Sequence, residues 1–328
     1  MIIAFTICSN NYLAHAKTLG DSYLQHHSGH RFIIGLVDKL IDGYDYSFLN
    51  AFEVVPVETL EIDGFDNLVA KYNIMELNTA VKPSYFNYIF EHYTAQNVVY
   101  LDPDLWVSSA FTEVFDFLKY KNIVLTPHML SPIDDGHSLN DFQLLRNGIF
   151  NLGFIALSNF SAVAHFLKFW HERVTRYGFA KSKEGMFYDQ LWVNYVPAFY
   201  DSYAVLRHLG YNMANWNLHE RVVTRVEQRG FLINNEFHLR FFHFSGYKAS
   251  KPDTIASYSN RFDFESRPDV RPLFDIYRAL LIQNKVEDIS KLGVFYFPDL
   301  NVPVIIPVHK KVMSRVKRSL KVLVLGYE

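Results

Sequence analysis

The sequence predicts an α/β fold, in which a mostly parallel sheet is flanked by helices and followed by a helical C-terminal extension. The first support is a strand–helix–strand unit at the start of the chain, formed by an apolar run at 2–7, a helical pattern at 13–26 and an apolar run at 32–37. Strands joined by a helix in this way run parallel, as in doubly wound sheets. The second support is the length and composition of the chain. Its 328 residues, of which 49% are hydrophobic, suffice for a large core.

The following segments continue this alternation of strands and helices. Further predicted strands are short apolar runs between polar residues, and they lie at 52–57, 97–101, 123–126, 204–206 and 240–244. Further predicted helices have apolar residues at helical spacing, and they lie at 67–93 (interrupted near Pro83), at 162–177 and at 271–283. The pattern weakens after Pro252. We therefore interpret residues 1–252 as one α/β domain and residues 253–328 as a helical extension.

Charge and cysteine content restrict the class of protein. The formal net charge of -2 argues against a general nucleic-acid binder, which normally has a clear basic excess. The single cysteine, Cys8, permits no internal disulfide, as is typical of a reducing cytoplasm. The apolar N-terminus is too short and uncharged for a signal peptide, and no run approaches the roughly 18 apolar residues of a membrane span. These features predict a cytoplasmic protein, soluble or peripheral to a membrane, without a nucleic-acid partner.

An acidic pair, Asp102 and Asp104, follows the predicted strand 97–101. In doubly wound sheets, ligands bind beyond the carboxyl ends of the strands. Two carboxylates separated by one residue can jointly hold a divalent ion, and Mn²⁺ or Mg²⁺ commonly bridges protein carboxylates to substrate phosphates. The same pattern fits a solvated turn at the end of a strand, so the residues alone leave both interpretations open.

A second polar cluster surrounds His243, which lies among aromatic residues just before Gly246. A lone histidine in such a place is usually a core residue, but imidazole is also a common metal ligand. Lys248 and Lys251 follow closely and would supply cations for a pyrophosphate. The cluster therefore fits either a packed strand or part of a metal–phosphate site.

Six segments taken in chain order resemble the family 8 retaining glycosyltransferases, the group of glycogenin and the bacterial lipooligosaccharide galactosyltransferases. They are the opening strand and turn at 3–12, the strand and acidic pair at 98–104, and the segments 150–154, 188–194, 211–217 and 243–246. The resemblance covers about residues 1–252. It implies the GT-A fold, a Rossmann-like fold with a mostly parallel sheet.

The resemblance also implies roles for particular residues. Asp102, Asp104 and His243 would hold Mn²⁺ or Mg²⁺ against the donor pyrophosphate. Gln190 would lie near the anomeric carbon and Asp189 would bind sugar hydroxyls, which makes them the implied catalytic pair. The implied donor-binding residues are Thr6, Ser9, Asn11, Lys82, Asn151, Lys248 and Lys251. The first turn lacks the acidic residue common in the family, and Leu191 stands where the family has a second acid.

The function implied is transfer of a hexose from a nucleotide-diphosphate sugar, with UDP as the expected nucleotide, to a glycan or glycolipid acceptor in surface polysaccharide assembly. Retention of anomeric configuration is implied in the same way. Two alternatives share the fold. A sugar-nucleotide nucleotidyltransferase would normally carry a glycine- and lysine-rich loop after the first strand, and this sequence has none there. A non-catalytic carbohydrate-binding protein would bind metal without turning over a donor.

The C-terminal tail at 309–325 combines cations with an apolar stripe. The cations are Lys310, Lys311, Arg315, Lys317, Arg318 and Lys321, and the stripe consists of Val312, Val316, Leu320 and Leu323. One interpretation is a terminal helix packed on the domain. The other is a basic amphipathic helix that anchors the protein to anionic lipid at the inner face of the plasma membrane.

Overall fold

The computed structural model of the chain describes residues 1–228 and 230–301. The strands are β1 Ile2–Cys8, β2 Arg31–Leu36, β3 Glu53–Pro56, β4 Asn97–Leu101, β5 Leu105–Val107, β6 Ile123–Pro127, β7 Phe150–Ser158, β8 Ala180–Lys181, β9 Met186–Phe187, β10 Tyr203–Val205, β11 Met213–Ala214, β12 Val223–Val226, β13 Gly230–Ile233, β14 Phe237–His238 and β15 Phe241–His243. The α-helices are α1 Leu13–His26, α2 Phe65–Lys71, α3 Ile74–Ala80, α4 Lys82–Tyr93, α5 Thr112–Phe117, α6 Asp141–Asn147, α7 Phe160–Tyr177, α8 Gln190–Val193, α9 Val196–Phe199, α10 Arg271–Gln283 and α11 Val286–Ile289.

The main sheet has seven strands in the order β10-β6-β7-β4-β1-β2-β3. Every neighbouring pair is parallel except those of β7, which runs antiparallel to both β4 and β6. The central strands are buried on both faces, which explains their continuous apolar sequences. The predicted α/β fold with a mostly parallel sheet is therefore confirmed.

A second sheet of three strands, in the order β11-β15-β5, adjoins the main sheet at the acidic pair. The chain leaves the main sheet at the end of β4, turns through residues 102–104 and enters the second sheet as β5. The Asp102 N–H donates to the Gly153 carbonyl of β7 at 2.9 Å, and the Phe244 N–H donates to the Asp104 carbonyl at 2.9 Å. Backbone bonds to two sheets thus hold the acidic turn in place.

The stretch 67–93 forms the end of α2 followed by α3 and α4. A reciprocal cap begins α3: the Asn73 side chain accepts from the Glu76 N–H at 3.0 Å, and the Glu76 carboxylate accepts from the Asn73 N–H at 3.0 Å. Pro83 lies in the first turn of α4, where its missing N–H leaves no intrahelical bond unmade. The proline therefore marks the start of a helix.

The described part of the extension packs beside the main domain. Helix α10 spans the predicted 271–283, and the ring of its Tyr277 stacks on Phe244 with the centroids 3.9 Å apart. The division at residue 252 stays a prediction, and the predicted basic tail at 309–325 lies outside the described residues. Within residues 1–228 and 230–301, no helix has the length and apolar character needed to cross a membrane.

Candidate metal and nucleotide-sugar site

A cavity of about 720 Å³ lies beyond the carboxyl ends of β1 and β4. Nine of the twelve residues predicted for the site line it, namely Ser9, Asn11, Lys82, Asp102, Asp104, Asn151, Asp189, Gln190 and His243. They come from six separate parts of the chain. The fold therefore gathers most of the predicted site into one place, at the sheet edge where doubly wound folds bind ligands.

The other three predicted residues do not line the cavity. Thr6 is fully buried in β1, and its hydroxyl has no hydrogen-bond partner among the described residues. Lys248 and Lys251 are exposed on the turn after β15. Their predicted contacts with a donor remain predictions.

Asp102, Asp104 and His243 form a compact cluster. The His243 Nε2 lies 3.1 Å from the Asp104 Oδ1 and 3.8 Å from the Asp102 Oδ2. One candidate ligand atom from each residue lies within 4.8 Å of the other two. Two carboxylate oxygens and an imidazole nitrogen are donors that a divalent cation accepts. The cluster could therefore hold such a cation.

The strand register explains how His243 reaches the acidic pair. In the second sheet, His243 of β15 pairs with Leu105 of β5, the residue that follows Asp104. Gly153 of β7 leaves room for the imidazole, because a Cβ at that position would lie 2.5 Å from the His243 Cε1. A packed side chain at residue 153 would thus displace His243 or the chain around it.

A polar network orients the His243 ring from its far side. The His243 Nδ1 lies 3.3 Å from the Asn212 Oδ1, so an Nδ1–H can donate to this amide and leave Nε2 to face the carboxylates. The Asn212 amide nitrogen in turn donates to the Asn151 Oδ1 and the Thr126 hydroxyl, each at 3.0 Å. The sequence placed Asn212 in a segment of resemblance but gave it no role.

The pKa values in the cluster reflect burial opposed by charge. Burial lowers the pKa of His243, but the carboxylates of Asp104 and Asp102 outweigh it and the net pKa is raised. Burial raises the pKa of Asp102 in spite of the neighbouring Lys82 and His243. Burial also acts on Asp104, but His243 outweighs it and the pKa of Asp104 is lowered. The raised pKa of His243 means that the two carboxylates stabilise a positive charge on its ring.

Lys82 and Asp189 form a buried ion pair in the cavity wall, with 2.6 Å between the Lys82 Nζ and the Asp189 Oδ2. The ammonium also donates to the Leu152 carbonyl at 3.0 Å and lies 4.0 Å from the centre of the Tyr100 ring. Burial raises the pKa of Asp189, although Lys82 opposes the effect. Among the described residues that line the cavity, Lys82 is the single lysine or arginine.

Gln190 and Asn151 are held by backbone and side-chain bonds. The Gln190 side-chain amide donates to the Asn147 carbonyl at 2.7 Å. The Asn151 Oδ1 accepts from the Gly153 N–H at 3.0 Å, and its amide nitrogen lies 3.2 Å from the His128 Nε2. Burial lowers the pKa of His128 to about 4, so this ring is neutral near pH 7 and its Nε2 can accept.

Several lining residues were missed from the sequence, including Tyr12, Asn78, His128, Trp216 and Tyr258. Trp216 is buried, as is usual for a core aromatic. However, its ring meets His243 edge to face at 5.1 Å, and its indole nitrogen has no hydrogen-bond partner among the described residues. The only sequence signal for Trp216 was its place in the segment 211–217.

Comparison with known proteins yields distant relatives. No family model matches the chain. Two Bacillus subtilis (strain 168) proteins described as uncharacterized are similar in sequence. YfnF is 23% identical over 230 residues, which cover 70% of this chain and 74% of that protein. YfnD is 24% identical over 196 residues, which cover 58% of this chain and 60% of that protein.

A solved structure defines the class of fold. The galactosyltransferase LgtC, in complex with donor and acceptor sugar analogs, matches 86% of this chain and 96% of its own, with a TM-score of 0.50 and 14% identity. The chain has the GT-A fold and resembles the family 8 glycosyltransferases in its architecture. The predicted fold is confirmed at this level.

Proposed function

We propose that the protein is a metal-dependent glycosyltransferase. It moves a hexose from a nucleotide-diphosphate sugar, which we propose is a UDP-sugar, to a glycan or glycolipid acceptor in the assembly of a surface polysaccharide. The observation that carries this proposal is the Asp102–Asp104–His243 cluster, which lies in the large cavity of a GT-A fold. The likeness to a galactosyltransferase in fold supports it.

Asp102, Asp104 and His243 would hold Mn²⁺ or Mg²⁺. The fit rests on their donor atoms, two oxygens and a nitrogen close enough to share one ion. When bound, such an ion supplies Lewis-acid stabilisation of the negative charge that develops on the leaving nucleoside diphosphate.

The protein's own groups would bind and orient the transferred sugar. Lys82 holds the Asp189 Oδ2 in the wall, and the other carboxylate oxygen would accept hydrogen bonds from sugar hydroxyls. The bond from Gln190 to the Asn147 carbonyl aims the amide of Gln190, which we place beside the anomeric carbon. Groups already held by the protein need little reorganisation during transfer. We further propose that the anomeric configuration is retained, which NMR of the product's anomeric proton would test.

The remaining donor contacts are assigned by position. Ser9 and Asn11 follow β1 at the cavity and would contact the nucleoside, together with the nearby Thr6. Lys248 and Lys251 would approach the diphosphate from the turn after β15, close to His243.

The proposal is tested by incubating the purified protein with a panel of UDP-hexoses, with and without Mn²⁺, and measuring released UDP. We expect release that depends on Mn²⁺ and is abolished by Asp104→Asn. The matched control is Asp116→Asn, which changes an exposed aspartate of α5 and should keep activity. Undiminished UDP release in the presence of chelator would contradict the proposal. Release of pyrophosphate when the protein is given UTP and a hexose 1-phosphate, which is the reaction of a nucleotidyltransferase, would also contradict it.

A further inference from the structure

A second, shallower groove of about 410 Å³ adjoins the cavity. Most of its apolar lining residues belong to helix α6 or follow shortly after it. The apolar lining residues are Met129, Phe142, Leu144, Leu145 and Ile149. Three of these side chains are largely exposed: Phe142 at 56%, Leu145 at 62% and Ile149 at 50%. Large apolar side chains exposed side by side on a soluble surface commonly mark a binding site.

The groove lies beside the cavity. His128 and Leu144 line both of them, and a Cβ added at the groove residue Gly148 would lie 3.6 Å from the Gln190 Cγ. The segment 147–149, which includes the groove residues Gly148 and Ile149, is also bonded to the segment that carries Gln190. The Gln190 amide donates to the Asn147 carbonyl at 2.7 Å, and the Ile149 N–H donates to the Asn194 Oδ1 at 3.0 Å. A molecule in the groove would therefore end beside the proposed transfer site.

The charges around the groove favour an uncharged occupant. Among the described residues that line the groove and the cavity, Lys82 is the single lysine or arginine, and Asp189 already engages it. At the edge of the groove, the Arg146 guanidinium lies over the Phe142 ring at 4.2 Å from its centre. The groove lining carries one carboxylate, Asp141, and the Arg146 cation at the edge has the opposite sign, so the two charges balance. An uncharged apolar chain would find exposed Phe, Leu and Ile side chains.

We propose that this groove binds the apolar aglycone of an uncharged amphiphilic acceptor, whose sugar enters the cavity. The inference rests on the proposed function and names the class of its acceptor. A chain in the groove covers Phe142, Leu145 and Ile149 and places the attached sugar next to Gln190. Each methylene that leaves water on entering the groove improves binding about fourfold.

The test compares an amphiphile with its own headgroup. Binding of dodecyl maltoside, kept below its micelle concentration, and of maltose is measured by displacement of the neutral apolar fluorophore N-phenyl-1-naphthylamine. We expect dodecyl maltoside to bind the wild type at least about tenfold more tightly than maltose. Ile149→Ser is expected to weaken dodecyl maltoside binding at least about fivefold. Ile282→Ser should leave it unchanged, because Ile282 is similarly exposed, at 48% against 50%, but lies on α10 away from the groove.

Equal effects of the two serine variants, or equal binding of dodecyl maltoside and maltose, would overturn the groove as the site. A dimer that Ile149→Ser converts to a monomer in light scattering would also overturn it, because the patch would then join two copies of the chain. The melting-temperature increase caused by UDP and Mn²⁺ is measured in parallel. If UDP and Mn²⁺ did not raise the melting temperature of the wild type, both the proposed function and the acceptor assignment would be refuted. If they raised it but the amphiphile did not bind, only the assignment of the groove as the acceptor site would be refuted.

Discussion

Replacing Lys82 by methionine should be strongly destabilising, because the change leaves the Asp189 carboxylate buried without its cation. Both side chains are almost fully buried, with 1% and 4% exposed, and their charged atoms are 2.6 Å apart. Removing one partner of such a pair costs about 3–5 kcal/mol. The bond to the Leu152 carbonyl and the contact with the Tyr100 ring are lost as well.

The assay is thermal unfolding of the wild type and Lys82→Met between pH 5 and pH 8. Unfolding entropy of about 2.1 cal/mol/K per residue gives roughly 0.7 kcal/mol/K for 328 residues, so the loss corresponds to roughly 4–7 °C in melting temperature. Burial already raises the pKa of Asp189, and removal of Lys82 should raise it further. A raised folded-state pKa favours folding at low pH and disfavours it as pH rises through that pKa. The decrease in melting temperature of Lys82→Met relative to the wild type should therefore be larger at pH 8 than at pH 5.

The matched control is Lys119→Met. Lys119 pairs with Asp116 at 2.7 Å, nearly the same distance, but both side chains are mostly exposed. Exposed pairs contribute about 0–1 kcal/mol, so this variant should melt within about 1–2 °C of the wild type. If Lys82→Met and Lys119→Met lost similar stability, or if the Lys82→Met deficit grew toward pH 5, the account of a buried charge without a partner would be refuted.

Two further predictions concern the metal cluster and the sugar site. Gly153→Ala should lower stability by about 1–3 kcal/mol and weaken Mn²⁺-assisted UDP binding, because its Cβ would lie 2.5 Å from the His243 Cε1. Gly293→Ala, with no atom within 4 Å of the new Cβ, is the control in the same melting and titration experiments, and equal behaviour of the two variants would count against the packing argument. Gln190→Ala should bind UDP nearly normally yet lose most turnover, since a group that touches only the reacting sugar acts mainly in the transition state. A parallel loss of UDP affinity in calorimetry would place Gln190 at the nucleotide.

Much of the fold could be predicted because its long elements carry strong local patterns. Helices α1 and α10 span 13–26 and 271–283 as predicted, since their apolar residues repeat at helical spacing. Strand β5 had no such signal. It has three residues, and its structure depends on pairing with β15, which lies far along the chain. Non-local pairing of short strands leaves little trace in local sequence.

In the candidate site, too, residues with a local sequence pattern could be predicted, and contacts between distant parts of the chain could not. Asp102 and Asp104 could be singled out because they end a clear apolar strand, and the structure brings His243 to them. The contact between Lys82 and Asp189 could not be foreseen, because it joins α4 to the turn before α8 through the tertiary fold. Trp216 resembles an ordinary core residue in sequence, and only the cavity shows that it borders a site.

The most direct test of the central claim is the affinity for UDP measured by calorimetry with and without Mn²⁺. In the wild type we expect Mn²⁺ to increase the affinity at least about tenfold, which corresponds to about 1.4 kcal/mol. Asp104→Asn should lose most of this increase while it stays folded, and Asp116→Asn, which alters an exposed carboxylate, should keep it. An affinity that Mn²⁺ does not change in the wild type, or an increase that survives in Asp104→Asn, would contradict the metal-dependent site.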